Sequence, residues 1–424
     1  MEKKKSIKLG ILGLGIVGTE LVLQILKNIQ RIAVETSVTI EIEKIYVRSL
    51  TKTRTISNIT TLPLTTNISE VIDNPVIDVI CDCMGGNGID DTRKFLIRAM
   101  KNKKHVIMSS KKALATYAEE LLTEAKKNNV YFKYDASVGG GIPIAKVLDS
   151  AFKGEKVVKV MGIFNATSNF IYTQMFNEKA EYENALKLAQ DKGYAENDPS
   201  DDVDGIDSTN KLIILSLYAM GKLIHPSSLI PESFSRINIK DMNYASELGY
   251  KIKPIALIQL SGNNVEYKIG PCLVNAEHIV ASTFSNFNII IIEGEHCGEL
   301  GFYGQGAGAK PTAAAMFDDL VNIVSSTKID QINYEMVSNE QITDYQSKLY
   351  WRLTVKNQIG VLSRISTILA ENEVNIEKII QKDELDNGIE IVLLTSNVSN
   401  EKKKELERNF SLSDVLVNSV IPFV

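Results

Sequence analysis

Asp207 and Lys211 stand four residues apart at the end of an acidic run, GYAENDPSDDVDGIDSTNK at 193–211, just before the apolar stretch LIILSLYAM. A helix starting near Gly205 would place both side chains on one face of its first turns, with the acid N-terminal to the base as the helix dipole favours. A lysine held in this way can donate a proton to the alkoxide formed when a carbonyl carbon is reduced, and nearby carboxylates can bind an ammonium group. On spacing alone a solvated helix start is the simpler reading, with an i,i+4 pair worth roughly a few tenths of a kcal/mol. A calcium loop does not fit. With Gly205 set on the glycine of an EF-hand, Ser200 takes the first ligand position and Lys211 the last, where a bidentate glutamate is required.

A second constellation lies near the start of the chain. Gly13, Gly15 and Gly18 of GLGIVG follow the apolar run IKLGILG at 7–13 and open an apolar helix, with Ile16 and Val17 inside the loop. In that context Gly13 serves a tight turn, Gly15 lets the backbone approach a pyrophosphate and Gly18 permits close helix packing, while the helix N-terminus offers amide donors. The candidate second strand, VTIEIEKIYVR at 38–48, ends in Arg48 where a ribose-binding carboxylate would stand. This predicts NADP(H) in preference to NAD(H), with Lys52 and Arg54 as helpers, although Arg48 also reads as one exposed strand-end charge. Ser109 and Ser110 end the run HVIMS beside Lys112, and either approach the cofactor or form a plain strand-end turn.

These residues need elements to hold them. Between 7 and 136, short β-rich runs (7–13, 38–48, 76–84, 105–109 and 130–136) alternate with helical stretches, the pattern of a parallel sheet covered by helices. From 140 to 310 the pattern is mixed, with amphipathic helices near 165–191 and 205–220 and strand-like pieces near 157–164, 265–274 and 288–293. Residues 306–326 read as a helix that returns to the first domain. From 347 the succession strand, helix, strand, strand, helix, strand predicts a ferredoxin-like module.

A length of 424 residues exceeds one compact core and implies two or three domains. A net charge of -5 argues against a nucleic-acid partner, because phosphate binders carry clustered positive charge. No run reaches the roughly 20 apolar residues of a membrane helix. The basic start MEKKKS leads within a few residues into the glycine loop with no small-residue cleavage site, so a cytoplasmic protein is expected. Cys81, Cys83, Cys272 and Cys297 fit neither zinc-ligand nor disulfide spacing and are expected to be buried thiols. His105, His225, His278 and His296 are scattered without ligand spacing and are expected to be structural.

The chain resembles the homoserine dehydrogenases. The likeness is carried in order by GLGIVG, MGG at 84–86, SSKKALA at 109–115, YDASVGGGIP at 134–143, GIFNATSNFI at 162–171, the acidic run with Lys211, and GQGAG at 304–308. It covers the chain to about residue 330, and the last segment resembles an ACT domain, a module that binds amino-acid effectors. The resemblance implies a Rossmann dinucleotide-binding domain (1–138, joined by the helix near 306–326), an α+β substrate-binding and dimerisation domain (139–330) and an ACT-like regulatory domain (347–424). It implies interconversion of L-aspartate 4-semialdehyde and L-homoserine in threonine, methionine and isoleucine biosynthesis by a homo-oligomer, with threonine as a candidate effector.

By the same resemblance Lys211 is the proton donor and Asp207 orients it. Glu196 and Asp202, beside Tyr194, hold the substrate's amino group, and Lys112 lies between nicotinamide and substrate. Gly85 and Gly306 adjoin the cofactor. Asp135 with the carbonyls of Val138, Gly140 and Ile142 forms a structural sodium site. Three departures stand out: Lys111 where the family usually has Asn, Asp135 in place of a longer Glu, and NQIGVL at 357–362 without the Asp and Pro of the ACT signature, though with Gly360. Two rivals are another amino-acid Rossmann dehydrogenase, which would not need the 193–211 constellation, and a non-catalytic amino-acid sensor, which would have no reason to keep Lys211 and Asp207.

Overall fold

The computed structural model describes residues 6–52, 62–85, 88–326, 328–329, 332–385 and 388–424, so Arg54 and Gly86 lie outside the described residues. The chain begins with β1 (Ser6–Leu12), α1 (Ile16–Thr36), β2 (Thr39–Tyr46), β3 (Leu64–Thr65), α2 (Ser69–Ile72), β4 (Val79–Asp82), α3 (Ile89–Lys101), β5 (His105–Met108), α4 (Lys111–Asn128) and β6 (Phe132–Lys133). The six strands form one parallel sheet in the order β3-β2-β1-β4-β5-β6. Leu9, Ile11 and Leu12 of β1 and Val106, Ile107 and Met108 of β5 are fully buried, because helices cover both faces and leave no polar side to alternate. The strand order reverses between β1 and β4, which opens a crevice at their carboxyl ends. The run at 130–136 contributes only two residues of strand before the chain turns at Asp135–Ser137.

The middle of the chain adds α5 (Ile144–Ala151), β7 (Val157–Ile163), α6 (Ala166–Glu178), α7 (Tyr182–Asp191), α8 (Ser200–Val203), α9 (Ile206–Met220), β8 (Lys222–Leu223), α10 (Ile239–Glu247), β9 (Tyr250–Ser261), β10 (Asn264–Asn275), β11 (Asn288–Gly294) and β12 (Gly298–Gly304). It closes with α11 (Ala309–Ser325), β13 (Glu335–Met336) and β14 (Ile342–Asp344). The second large sheet runs β12-β11-β7-β9-β10-β14. The helix expected across 165–191 is two helices, because Lys179 takes a left-handed φ of 55 between them. β9 escapes a reading of the sequence because Pro254 interrupts it. The ladder tolerates the proline because β7 pairs with β9 only from Ala256 to Gln259, leaving Pro254 opposite Pro271 of β10 alone. α11 turns back to the first sheet, where Ala313, Met316 and Leu320 share a core with Leu21, Val22 and Ile25 of α1.

The C-terminal module comprises β15 (Ser347–Val355), α12 (Val361–Glu371), β16 (Ile376–Leu385), β17 (Gly388–Val398), α13 (Asn400–Leu412) and β18 (Leu416–Pro422). Its antiparallel sheet has the order β16-β17-β15-β18. Strand alternation divides the two aromatic residues of β15. Trp351 packs inside the module against Phe410 of α13, whereas Tyr350, Val392, Leu394 and Ile421 join the core of the preceding domains. Beside them Arg352 grips Asp241 of α10 with Nε at 2.7 Å and Nη2 at 3.2 Å, and reaches Glu390 at 3.2 Å. Tyr350 also donates to Asp241, at 3.2 Å.

Three cysteines are buried as expected, but Cys297 is exposed, because it sits in the turn between β11 and β12. Among the described residues no helix is long and apolar enough to cross a membrane.

Candidate active site

The glycine loop caps β1 at the crevice. Gly13 has φ 97, and a Cβ there would lie 2.9 Å from the Cys83 carbonyl oxygen; a Cβ on Gly18 would lie 2.2 Å from that of Gly13. Around Gly15 no protein atom lies within 4 Å of that position, so the backbone is open on the side where a diphosphate would come. Ile16 is exposed in the first turn of α1, Val17 is half-buried, and Gly85 lies open at the end of β4. Arg48 is exposed two residues beyond β2. Ser109 is tied to the same rim, its hydroxyl donating to the Asp82 carbonyl at 2.9 Å. Gly306 is buried instead, in a backbone seam where a Cβ would collide with Asn288 at 1.8 Å.

The contrast between two of these glycines gives a first test. Gly15→Ala should leave thermal unfolding unchanged and weaken NADPH binding at least about tenfold, whereas Gly18→Ala should lower both, since its methyl group meets backbone. Fluorescence titration of NADPH and a melting curve for each variant check this, and equal effects of the two substitutions would contradict the assignment.

Leu12, Asp82 and Met108 lie side by side in register, so the ends of β1, β4 and β5 share one edge of the sheet within two strand spacings, about 10 Å. α4 starts at that edge, two residues past Ser109. Its first residue, Lys111, makes a short ion-pair contact with one oxygen of Asp207, while Lys211 Nζ lies 2.9 Å from the other. α9 begins after Gly205, whose φ of 78 makes the sharp entry, and Asp207 and Lys211 are each only 5% exposed. The helix start is therefore not a solvated pair but a buried one, and the reason is the wall that α6 and β7 build over it. Lys211 donates to the Phe164 carbonyl at 2.6 Å, just past β7. Asn165, the N-cap of α6, donates to Asp207 at 2.9 Å and to Asp202 at 2.7 Å, while its own oxygen accepts from Ser168.

Electrostatics follow from this geometry. Burial works against an ionised Asp207, but the ammonium groups of Lys111 and Lys211 outweigh it and hold the carboxyl well below the usual range. For Lys211, burial outweighs the attraction of Asp207 and, helped by repulsion from Lys111, pulls the ammonium below 10.5. Lys111 shifts the other way, upward, because Asp207 is its dominant neighbour. One lysine is thus a fixed cation and the other is eased toward proton transfer. Burial also raises the Asp202 carboxyl.

Family models match the chain along most of its length: homoserine dehydrogenase at residues 143–321, the homoserine dehydrogenase NAD binding domain at 13–135, and the ACT domain at 352–409. A homoserine dehydrogenase of Bacillus subtilis is 34% identical over 426 residues, covering 97% of this chain and 96% of its own. The chain belongs to the homoserine dehydrogenase family. Among solved structures, a homoserine dehydrogenase from Thiobacillus denitrificans superposes with a TM-score of 0.91 at 31% identity, covering 99% of this chain and 98% of its own. A Staphylococcus aureus homoserine dehydrogenase gives 0.81 at 29% identity, with 99% of both chains covered. A hyperthermophilic archaeal homoserine dehydrogenase in complex with NADPH shares the fold, with a TM-score of 0.63 at 21% identity over 77% of this chain and all of its own. The activity is that of a homoserine dehydrogenase, an NAD(P)-dependent oxidoreductase acting on a CH–OH group, and the C-terminal segment is an ACT domain.

In this homoserine dehydrogenase Lys111 faces Asp207 in the hub, while Lys112, the next residue of the helix, lies 3.8 Å from exposed Asp201. Neighbouring helix positions diverge by about 100°, so only one of two consecutive lysines can face the hub. Sequence reasoning also gave no role to Asn165, although N-T/S spacing at a helix start, NATS, signals a capping residue.

The remaining expected residues are placed less tightly. Tyr194 packs its ring 4.9 Å from Phe170 and is half-exposed, while its carbonyl accepts from Thr167. Glu196 is exposed on the loop before α8, with its carbonyl held by Gln190 at 3.2 Å. Of the three expected ammonium-binding residues, Asp202 is joined to the hub through Asn165. At the glycine-rich turn, Asp135 is buried, with one carboxylate oxygen accepting from Ala145 at 3.2 Å and its own amide donating to buried Asp319 at 3.1 Å. The Ile142 carbonyl accepts from Ile144, and Gly140, with φ 57, packs against Gly306. Among the described residues no group of three His, Cys, Asp or Glu side chains could hold a metal, so a cation here would depend on carbonyl oxygens.

Proposed function

We propose that Lys211 is the general acid that protonates the aldehyde oxygen of aspartate 4-semialdehyde, and the base that recovers the proton when homoserine is oxidised. With its diphosphate at the open backbone of Gly15, a nicotinamide cofactor would supply or accept the hydride at the substrate's C4. Asp207 fixes Lys211 in line, and Lys111 keeps that carboxylate ionised while adding positive charge beside the developing oxyanion. Asn165 orients both Asp207 and Asp202. Asp202, with Glu196 and Tyr194 at the mouth, receives the substrate's ammonium group. The supporting observation is the buried Lys111–Asp207–Lys211 hub at the carboxyl edge of the dinucleotide sheet. Oxidation of NADPH by aspartate semialdehyde tests the reading; no turnover by the folded chain would end it.

The cofactor preference is NADP(H), carried by Arg48 and the absence of a carboxylate at the end of β2, and in keeping with the NADPH complex of the archaeal relative. Arg48→Asp should reverse the ratio of kcat/KM for the two cofactors by at least about tenfold, the scale of one charge-assisted contact. An Arg48→Asp enzyme that still prefers NADPH would remove Arg48 from this role.

Asp135 and the carbonyls of Val138, Gly140 and Ile142 would hold a structural sodium ion. Burial raises Asp135 to about 6 and Asp319 to about 8, and neither has a lysine or arginine ion pair among the described residues. Both folded-state values lie above 3.8, so without a cation stability should fall as the pH rises from about 4 through about 8. Sodium should cancel part of that fall where potassium or choline does not, and Asp135→Ala should abolish the difference in melting temperature. A sodium-independent melting curve at pH 8 would exclude the site.

The chain is organised as a dinucleotide-binding domain (1–138 with α11), a substrate-binding and dimerisation domain (139–330) and an ACT domain (347–424). It acts as a cytoplasmic homodimer in threonine, methionine and isoleucine biosynthesis, with threonine as the effector. The edge strand β12, with Leu300 and Tyr303 exposed, supports pairing of two copies. Light scattering should give twice the 47.0 kDa chain mass, and the monomer mass would refute it.

A further inference from the structure

Phe164, the residue after β7, offers its carbonyl to two side-chain donors at once. Lys211 Nζ reaches it at 2.6 Å and Asn288 Nδ2 at 2.9 Å. The fold brings Asn288 there because it is the first residue of β11, the strand between β7 and β12. In the antiparallel ladders Ile289 faces Ile163 and Asn288 faces Gly304, so Asn288 lies level with the end of β7 on one side and with the end of β12 on the other. The segment leading into it is pinned from α6 and β9. Asn169 donates to the Thr283 and Phe287 carbonyls at 3.3 and 3.0 Å, and Lys253 donates to that of Thr283 at 2.6 Å.

Asn288 is only 3% exposed, and its Oδ1 is buried with no hydrogen-bond partner among the described residues. An apolar side chain of similar size would avoid that desolvation, so the contribution of the amide lies in its donor. The same amide lies against Gly306, where a Cβ would stand 1.8 Å from Nδ2 and 2.1 Å from Cγ. Gly306 has no left-handed φ, so space alone bars a side chain from it. Gly306 in turn packs on Gly140, and the Gly141 amide donates to the Gln305 carbonyl at 2.9 Å. Asn288 is thus wedged between the backbone that Lys211 leans on and the glycine-rich turn at 304–308.

We infer that Asn288 is a positioning residue for the reaction: it fixes the Phe164 carbonyl on which Lys211 is aimed and ties that carbonyl to the 304–308 turn, so that the proton donor keeps its line only while the turn is seated. The inference rests on reading Lys211 as the general acid. By sharing one oxygen with the ammonium, Asn288 also weakens the hold of that oxygen on it, in the same direction as the burial that draws Lys211 below 10.5. The charged groups that face Lys211 are Asp207 of α9, Lys111 of α4 and Asp202 of α8. The groups that α6, β7 and β11 bring to the hub, Asn165, the Phe164 carbonyl and Asn288, are neutral. Loss of the Asn288 donor therefore returns the ammonium toward 10.5.

Reductive kcat of the full chain with NADPH and aspartate semialdehyde, measured across pH, tests this on Asn288→Ala and on Asn288→Val, which suits a strand and fills more of the space should the first not fold. Each should lose at least about tenfold in kcat with NADPH affinity held within about threefold, and the pH at which kcat is halved should rise by at least about half a unit. Gly306→Ala, whose methyl group takes the place of the amide, should do the same in the wild-type chain and change kcat less than about twofold in the Asn288→Ala chain. A role in packing alone would lower kcat without moving that pH. The proposal is overturned if the pH stays fixed in the folded Asn288 variants, or if the effects of Gly306→Ala and Asn288→Ala multiply. Lys211→Ala, assayed alongside, keeps the two readings apart. Turnover near wild type there ends the general-acid assignment and this proposal with it, whereas a loss beside unchanged Asn288 variants ends this proposal alone.

Discussion

Lys211→Ala should lower turnover by about 10²- to 10⁴-fold, the range for loss of a general acid, with NADPH affinity unchanged. The side chain is buried between Asp207 and the Phe164 carbonyl. Its ammonium is shifted below 10.5, chiefly by burial. In the reductive direction Lys211 must carry a proton, so kcat should hold at low pH and fall as the pH rises through its lowered value. Oxidation needs the neutral amine, so that limb should rise over the same interval. Asp207→Asn separates donor from support: with the carboxylate gone, Lys111 repels Lys211 without opposition, and both limbs should move to lower pH. Turnover of Lys211→Ala within a few-fold of wild type, or limbs that stay fixed in Asp207→Asn, would exclude the proton-transfer role.

The second large effect concerns the joint between module and body. Asp241 is fully buried and accepts from Arg352, Tyr350 and its own helix cap at Asn238. Asp241→Ala leaves the Arg352 guanidinium buried with Glu390 alone, and removal of one partner of a buried pair costs about 3–5 kcal/mol. Trp351, the single tryptophan, reports on the module without interference. Its fluorescence transition in urea should move to lower denaturant by that amount, while the unfolding of the dinucleotide domain, followed by bound NADPH, should hardly shift. The double substitution Arg352→Met with Asp241→Leu should recover most of the loss, because it removes both charges together. A shift below about 1 kcal/mol in Asp241→Ala would mean that water reaches the pair and the joint is not sealed.

Much of this architecture is written in local sequence. The loop Gly13, Gly15 and Gly18 between an apolar strand and an apolar helix specifies a dinucleotide crevice because backbone sterics exclude a side chain at Gly13 and Gly18 while Gly15 leaves the backbone open to a diphosphate. The alternation that opens β15, with Tyr350 and Trp351 adjacent, specifies a strand with two different faces, and Gly205 before Asp207 specifies where α9 starts. The tertiary structure alone decided the rest. Whether Asp207 and Lys211 were a solvated pair or a hub depended on β7 and α6, more than 30 residues away, because burial, not spacing, turns a weak ion pair into a strong one. Which of two consecutive lysines entered that hub was set by the rotation of α4, and no local signal distinguishes Lys111 from Lys112. Arg352 and Asp241 are ordinary charged residues in sequence, and only the docking of two sheets brings them together away from water.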